Sequence, residues 1–306
     1  MTEKQKIAFA FPGVGVKSSG YEIDFYLRHR NEINHFFEEA SQICGEKLSP
    51  ENLKSNNSSE RMHQIYTYTL SCAFAAVIKQ SGYQPFLTAG YSFGVYGALF
   101  GSEAINFSDG LKILIEAHEI MKEKSKNLNA GMCVIAGLTE EDILKITEEL
   151  SPSKIRIVNS NSNICKVLAG EKEKLEALCK KAIETGATSA QILPLSIPYH
   201  HPFFLSGVSE KFRKALDSIT FKKPVCPIVS SINQSLLTTA DEIISFISNN
   251  LSTPINWQKV IEKFIREGVS MIIECGPGLT LTRNAKFIDG CPEFVNFKNI
   301  EKKLGI

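Results

Sequence analysis

The sequence predicts an α/β protein with a parallel sheet and a smaller inserted domain. Short apolar runs alternate with amphipathic helical stretches, this rhythm changes between residues 129 and 195, and it then resumes. The 306 residues, 43% of them hydrophobic, suffice for one large core with an insertion. We therefore expect a main domain over 1–128 and 196–306 and a small domain over 129–195.

The first part of the main domain alternates strand and helix, which favours a parallel sheet. Its first strand ends in a loop that carries proline and glycine, and Gly82 and Pro85 separate the second helical stretch from the second strand. The expected elements are strands over 7–11 and 86–89 and helices over 21–44, 63–80 and 109–126.

The small domain has the order β-α-β-β-α-β, which is typical of a ferredoxin-like unit. Its expected elements are strands over 132–136, 155–159, 165–169 and 190–193 and helices over 139–150 and 172–185. The chain then returns to the main domain. There the expected elements are strands over 225–230 and 271–275 and helices over 241–249 and 257–267.

The bulk composition narrows the classes of function. Basic and acidic residues number 34 and 33, so the net charge of +1 provides no general attraction to nucleic acid or membranes. The longest apolar runs are shorter than the roughly 18 residues of a membrane span, and the start of the chain has no signal-peptide pattern. The eight cysteines are scattered without a C-x-x-C pair. We expect free thiols, no metal site and a cytoplasmic protein.

The segment Gly90–Gly94 reads G-x-S-x-G and lies between a strand pattern and a helix pattern. This arrangement permits a sharp turn that exposes the Ser92 hydroxyl and points the next N–H, that of Phe93, at the group under attack. A glycine-lined packing turn is the alternative interpretation of the pentapeptide alone. Ser92 is therefore a candidate nucleophile.

A serine nucleophile needs a base, and histidine has a suitable pKa. Four of the six histidines lie in amphipathic helical stretches, where a structural role is the simpler interpretation. His200 and His201 instead follow the small domain and stand between Pro198 and Pro202, which restrict the backbone. We expect this pair to supply the base.

Four segments together resemble the malonyl-CoA:acyl-carrier-protein transacylases, including the acyltransferase domains of polyketide synthases. They occur in the family's order and spacing, and the resemblance extends over about residues 7–288. The segments are Phe11–Gly15, Gly90–Gly94, Tyr199–Pro202 and Glu274–Gly278. The resemblance implies an α/β-hydrolase-like core with a ferredoxin-like small domain, and acyl transfer through a serine ester.

The resemblance also implies roles for individual residues. Ser92 would be the nucleophile and His200 its general base and acid. The backbone N–H groups of Val14 and Phe93 would form the oxyanion hole, with Val14 in place of the family's glutamine. The main-chain carbonyl of Asn256 would orient the histidine.

The departures from the family concern the acyl pocket. Members that carry malonyl bind its free carboxylate with an arginine in the helix after the serine. Counted from Gly90–Gly94 that position is Ala117 here, and a one-residue slip would give Glu116 or His118, neither of which supplies a guanidinium. Tyr91 and Val95 replace the common histidine and glutamate, and Tyr68 stands where glutamine is frequent. We expect the acyl pocket to comprise Tyr91, Ala117, Tyr199 and His201.

The expected function is transfer of an acyl group other than malonyl between CoA or acyl-carrier-protein thioesters, in polyketide or fatty acid biosynthesis. The resemblance implies an acyl carrier protein as the partner, and the small domain carries lysines that are candidates for a docking face. An ordinary solvated helix face is the alternative interpretation of these lysines. No tightly bound cofactor is expected, because CoA or phosphopantetheine arrives with the substrate. The lysines considered for docking are Lys172, Lys174, Lys180 and Lys181.

Three alternatives remain open at this level. One is an acyl hydrolase that clears acyl groups from carrier proteins. Another is a malonyl transacylase with an unusual carboxylate clamp, for which Lys112, Lys122 or Lys124 would be candidates. The third is a non-catalytic module that binds carrier proteins, which would need neither Ser92 nor His200.

Overall fold

The computed structural model describes residues 5–13, 20–49, 59–150 and 154–305. The helices in these ranges are α1 (Tyr21–Arg28), α2 (Arg30–Cys44), α3 (Glu60–Gln80), α4 (Gly94–Gly101), α5 (Phe107–Ser125), α6 (Glu140–Leu150), α7 (Lys172–Glu184), α8 (Val208–Ala215), α9 (Ala240–Asn250), α10 (Trp257–Arg266), α11 (Thr280–Ala285) and α12 (Ile300–Leu304). The strands are β1 (Ile7–Phe11), β2 (Leu87–Gly90), β3 (Ala130–Ala136), β4 (Ile155–Ser162), β5 (Cys165–Glu171), β6 (Ser189–Ile192), β7 (Ile228–Val229), β8 (Leu236–Leu237), β9 (Ile255–Asn256), β10 (Met271–Glu274) and β11 (Glu293–Val295). None of these helices combines the length and apolar character that crossing a membrane requires.

The larger sheet has the strand order β11-β10-β1-β2-β7-β8. All of its pairings are parallel except that of β7 with β8, so the predicted α/β class is confirmed. In the central pair, Phe11 of β1 lies opposite Gly90 of β2. The carboxyl ends of these two strands therefore meet, which is where open α/β sheets hold their ligands.

Successive residues of β1 pack into two different hydrophobic clusters. Phe9 and Phe11 belong to the large cluster that includes residues of α2 to α5. Ala8 and Ala10 belong to a second cluster that contains Trp257 of α10. All five residues of β1 are buried, as expected for a strand with helices over both faces of its sheet.

The smaller sheet has the strand order β6-β3-β5-β4-β9. Its first four strands and the helices α6 and α7 follow the predicted β-α-β-β-α-β order. The fifth strand, β9, comes from the later part of the chain and runs parallel to β4, with Asn256 opposite Ser160. The segment after residue 195 thus contributes to the smaller sheet, and the division at 129 and 195 remains a prediction.

Two of the expected elements are broken or shortened in the structure. The helical stretch over 21–44 comprises two helices that meet at His29, whose backbone leaves the helical region. The strand expected over 225–230 is reduced to Ile228–Val229. Pro227 has no N–H to donate to a neighbouring strand, so regular pairing begins only after it.

Glycines allow α4 to pack directly against β1. A Cβ atom on Gly94 would lie 2.1 Å from the carbonyl oxygen of Phe11. On Gly97 and Gly101, a Cβ atom would lie 2.6 and 2.7 Å from the Phe11 ring. A ring can shift a little, but the Phe11 carbonyl is fixed in the sheet, so Gly94 is the most restricted of the three positions.

We predict that Gly94→Ala lowers the free energy of unfolding by about 2–3 kcal/mol, because the added methyl group overlaps with fixed backbone. Gly131→Ala is the matched control, since the nearest atom to its Cβ would be 3.6 Å away in ordinary contact. We expect the control to change stability by about 0.5 kcal/mol or less. Urea unfolding of both variants measures the difference, and equal stabilities would contradict the packing argument.

Candidate active site

Ser92 lies on a sharp turn between β2 and α4. Its φ of 54° is in the left-handed region, which is uncommon for a residue other than glycine. The chain turns so tightly here that a Cβ atom on Gly90 would lie 2.1 Å from the nitrogen of Val95. The strand, turn and helix expected around the pentapeptide are therefore present, and the turn is of the kind that exposes a nucleophile.

Ser92 and His200 form a hydrogen-bonded pair. Ser92 Oγ lies 2.8 Å from His200 Nε2. His200 Nδ1 lies 2.7 Å from the carbonyl oxygen of Asn250 and 3.2 Å from that of Thr253. Because carbonyl oxygens only accept hydrogen bonds, Nδ1 carries the proton and Nε2 is free to accept the Ser92 proton. The arrangement has the form of a serine–histidine dyad with carbonyls in place of an acid.

The carbonyl that orients His200 is that of Asn250, so the expectation for Asn256 is wrong. Asn250 is the last residue of α9, where a helix leaves carbonyls without an N–H partner from its own turns. Its side chain also donates from Nδ2 to the carbonyl of Ser92 at 3.3 Å. Asn256 instead caps α10, its Oδ1 accepting from the N–H of Lys259 at 2.9 Å.

Burial sets the protonation state of His200. Only 3% of the residue is exposed, and desolvation lowers its pKa to about 4, although the carbonyls of Asn250 and Thr253 act in the opposite direction. The imidazole is therefore neutral at neutral pH. A neutral Nε2 is the form that can accept a proton from Ser92.

The Phe93 N–H, one of the two expected oxyanion donors, lies at the start of α4. Phe93 is the N-cap residue of α4, and none of the described residues accepts a hydrogen bond from its N–H. This donor follows Ser92 directly, as the prediction requires. Val14, the other expected donor, lies outside the described residues.

A narrow cavity of about 10 Å³, room for about one water molecule, lies beside the Ser92 turn, between the end of β1 and the helices α3, α4 and α5. Among the described residues, its lining does not include the four expected pocket residues. The observed lining consists of Phe11, Pro12, Gly13, Gln64, Thr67, Tyr68, Ser71, Phe93, Gly94, Gly97 and Leu114.

The four expected pocket residues lie around this pocket rather than in its lining. The Tyr91 ring packs on Trp257, on the opposite side of the sheet, and the buried His201 ring packs on Phe204. Ala117 is fully buried on α5, one turn beyond the lining residue Leu114. Tyr199 comes closest, since its ring contacts Phe93.

A buried chain of hydrogen bonds runs behind the pocket. Tyr199 OH donates to Glu60 Oε1 at 2.5 Å and accepts from Gln64 Nε2 at 3.1 Å. Gln64 Oε1 lies 3.1 Å from His118 Nδ1 and accepts its proton. Desolvation lowers the pKa of His118, which keeps its imidazole neutral at neutral pH. The chain therefore contains no cation, and of its members only Gln64 lines the pocket.

Sequence reasoning missed Gln64 and Asn250 and assigned His118 a structural role. Gln64 and His118 are polar residues on the buried faces of α3 and α5, and such residues are a weak signal of a site. Asn250 acts on His200 through its backbone, which leaves no signal in residue type. None of the described residues forms a group of three or more side chains suited to a metal ion.

We predict that the reactivity of Ser92 toward a fluorophosphonate probe is constant above about pH 5 and falls below about pH 4. Protonation of His200 removes the acceptor on Nε2, and burial places that pKa at about 4. The rate of covalent labelling, followed by intact-protein mass spectrometry, measures this profile. Near-ultraviolet circular dichroism identifies acid unfolding, and a midpoint near 6.5 in folded protein would contradict the assignment.

We also predict that Asn250→Ala slows this labelling by roughly fivefold to thirtyfold, since about 1–2 kcal/mol of hydrogen bonding near Ser92 is lost. Asn256→Ala is the control. It removes a helix cap and about 1 kcal/mol of stability while leaving the labelling rate within about twofold. A labelling rate of Asn250→Ala within about twofold of the wild type would contradict a role for the Asn250 side chain beside Ser92.

Comparisons with known proteins agree with this geometry. No family model matches the chain. Over 293 residues it is 31% identical to the malonyl CoA-acyl carrier protein transacylase of Salmonella typhimurium, covering 92% of this chain and 93% of the relative. Over 285 residues it is 27% identical to a polyketide biosynthesis malonyl CoA-acyl carrier protein transacylase of Bacillus subtilis. That match covers 90% of this chain and 94% of the relative.

Solved structures show the same similarity. An acyl-carrier-protein S-malonyltransferase from Burkholderia pseudomallei superposes with a TM-score of 0.88 at 28% identity, covering 99% of this chain and 100% of the other. A malonyl-transacylase in complex with its type II polyketide synthase acyl-carrier protein superposes with a TM-score of 0.86 at 26% identity. The match covers 98% of this chain and 100% of the other. The chain therefore belongs to the malonyl-CoA:acyl-carrier-protein transacylase family and is an acyltransferase of the acyl-carrier-protein S-acyltransferase type.

Proposed function

We propose that this protein transfers an uncharged acyl group, other than malonyl, between CoA or acyl-carrier-protein thioesters through an ester on Ser92. The pathway would be polyketide or fatty acid biosynthesis. The observation that carries the proposal is the hydrogen bond that joins Gln64, in the pocket lining, to His118 behind it. The assignment of the family's arginine position to Ala117, which also lies behind the lining, supports it.

The first half of the reaction forms the acyl-enzyme. His200 Nε2 accepts the proton of Ser92 Oγ as that oxygen attacks the thioester carbonyl. The Phe93 N–H stabilises the resulting oxyanion. When the carbon–sulfur bond breaks, the imidazolium of His200 gives its proton to the departing thiolate, and the acyl group stays on Ser92.

The second half reverses these steps with a different thiol. His200 takes the proton of the incoming phosphopantetheine thiol, and the thiolate attacks the Ser92 ester. Collapse of the intermediate returns the proton to Ser92 Oγ and releases the new thioester. CoA or phosphopantetheine thus takes part as substrate, and we propose no tightly bound cofactor.

The charges around the pocket argue against malonyl. Burying a carboxylate without a cationic partner costs several kcal/mol. The chain behind the pocket ends at Glu60, whose acidic group adds no attraction for a carboxylate. Arg61 is directed to two acidic residues, its guanidinium lying 3.6 Å from both Glu46 and Glu119.

The lysines of α5 do not support the alternative in which a lysine binds the malonyl carboxylate. Lys112, Lys122 and Lys124 are all exposed. Lys112 pairs with Asp109 of the same helix at 3.5 Å. For this reason we favour an uncharged acyl group over a malonyl transacylase with a lysine clamp.

The proposed partner is an acyl carrier protein, as in the structural relative that is complexed with one. Carrier proteins are acidic, and α7 of the smaller sheet presents Lys172, Lys174, Lys180 and Lys181 as candidates for contact. Lys181 already lies 3.5 Å from Glu149, so an ordinary solvated face explains that lysine equally well.

We predict that acetyl-CoA acylates Ser92 at least about tenfold faster than malonyl-CoA. The reason is that no cation in the pocket offsets the free-energy cost of desolvating the malonyl carboxylate. Intact-protein mass spectrometry of the labelled protein measures both rates, with Ser92→Ala as the control that takes up no label. Comparable rates for the two thioesters would contradict the proposed preference.

The same acyl-enzyme distinguishes transfer from hydrolysis. We expect an acyl group supplied on one carrier protein to appear on a second carrier when both are incubated with the enzyme. Gel mobility or mass spectrometry of the two carriers measures this transfer. Release of free acid, with the second carrier left unloaded, would instead identify an acyl hydrolase.

A further inference from the structure

Both members of the dyad have a strained backbone. Ser92 has a φ of 54° and His200 a φ of 64°, and both values lie in the left-handed region. Residues other than glycine adopt this region at a cost in free energy, and they stay there only where neighbouring contacts hold them. The contacts that hold Ser92 and His200 therefore decide how well the dyad is aligned.

The end of α9 supplies such contacts to both residues. The N–H of His200 donates to the carbonyl of Leu251 at 2.9 Å, and its Nδ1–H donates to that of Asn250 at 2.7 Å. The Asn250 side chain donates from Nδ2 to the carbonyl of Ser92 at 3.3 Å. That carbonyl also accepts from the N–H of Val95 at 3.2 Å. Asn250 thus bonds to both strained residues.

A serine from the neighbouring strand holds the Asn250 side chain in turn. Ser231 follows β7, which is paired with β2, so it lies near the same edge of the sheet as the Ser92 turn. Its Oγ donates to Asn250 Oδ1 at 3.2 Å. Ser231 is 0% and Asn250 1% exposed, so bulk water does not compete for this bond.

The chemistry of the groups fixes the direction of each bond. The Ser92 carbonyl only accepts, so the Asn250 amide must present Nδ2 to it and turn Oδ1 toward Ser231. Among the described residues, Ser231 is the one that donates to this Oδ1. The carbonyl of Ser231 accepts from the N–H of Asn256 at 2.8 Å, which anchors its backbone. Without the Ser231 hydroxyl, a buried amide oxygen would lose its partner and the amide could turn away from Ser92.

We propose that Ser231 is a positioning residue for the nucleophile. Its hydroxyl fixes the Asn250 amide, the amide holds the carbonyl of Ser92, and Ser92 Oγ thereby stays 2.8 Å from His200 Nε2. Ser231 acts through Asn250 and not on the substrate. This inference rests on the nucleophilic role of Ser92 in the proposed function, and it is independent of which acyl group Ser92 carries.

A double-mutant cycle tests this route. The wild type, Ser231→Ala, Asn250→Ala and the double variant are labelled with a fluorophosphonate probe, and intact-protein mass spectrometry gives each rate. We expect Ser231→Ala to slow labelling about threefold to tenfold, since one buried hydrogen bond is lost. In the Asn250→Ala background the same substitution should change the rate by less than about 1.5-fold, because the amide that it acts through is already absent.

Two controls separate positioning from a general loss of structure. Ser248→Ala removes another buried hydroxyl of α9, which donates to the carbonyl of Ile244, and should leave the rate within about twofold of the wild type. The second control is the pH profile of Ser231→Ala. Its midpoint should remain at about 4, because the Asn250 carbonyl still accepts from a buried His200. The final extent of labelling reports the folded fraction, so each rate is independent of unfolded protein.

The outcomes are distinct from those that test the proposed function. Slowing by less than about twofold in Ser231→Ala overturns the positioning role, and so does equal slowing in the Asn250→Ala background. A midpoint that moves toward 6.5 also overturns it, because the substitution would then have loosened the surroundings of His200. The proposed function fails on a different result, namely acylation by thioesters that persists in Ser92→Ala.

Discussion

The hydrogen bond between His200 Nδ1 and the carbonyl of Asn250 is the constraint on which the rest of the site depends. It fixes the tautomer and the direction of the imidazole, and so the position of Nε2 beside Ser92. The same residue donates from its side chain to the Ser92 carbonyl. The end of α9 thereby locates both members of the dyad, and the sharp turn after β2 would be of little use without it.

The dyad works without a carboxylate behind the histidine. Carbonyl dipoles raise the pKa of a histidine less than an anion does, and burial outweighs them here and lowers the pKa of His200 to about 4. Such a histidine rests in its neutral form and holds a proton only briefly. This suits a thioester, because a thiolate leaves readily and takes the proton back from the imidazolium when it departs.

The parts of the site that could be predicted from the sequence are those with a local signal. Glycines on either side of Ser92 and prolines on either side of the histidine pair each restrict a short stretch of backbone. Asn250 could not be found this way, because a backbone carbonyl is independent of residue type. The bond between Gln64 and His118 depends on how α3 packs against α5, and the two-residue strands β8 and β9 are too short to show a period.

The polarity of the pocket follows from a carboxylate outside it. Glu60 can only accept from Tyr199, Tyr199 must then accept from Gln64, and the amide oxygen of Gln64 turns to His118. What remains for a substrate is a neutral N–H donor. A neutral donor can form a hydrogen bond to a substrate oxygen, but this bond does not offset the free-energy cost of desolvating a carboxylate. On our proposal, this one chain of hydrogen bonds therefore accounts for the rejection of malonyl.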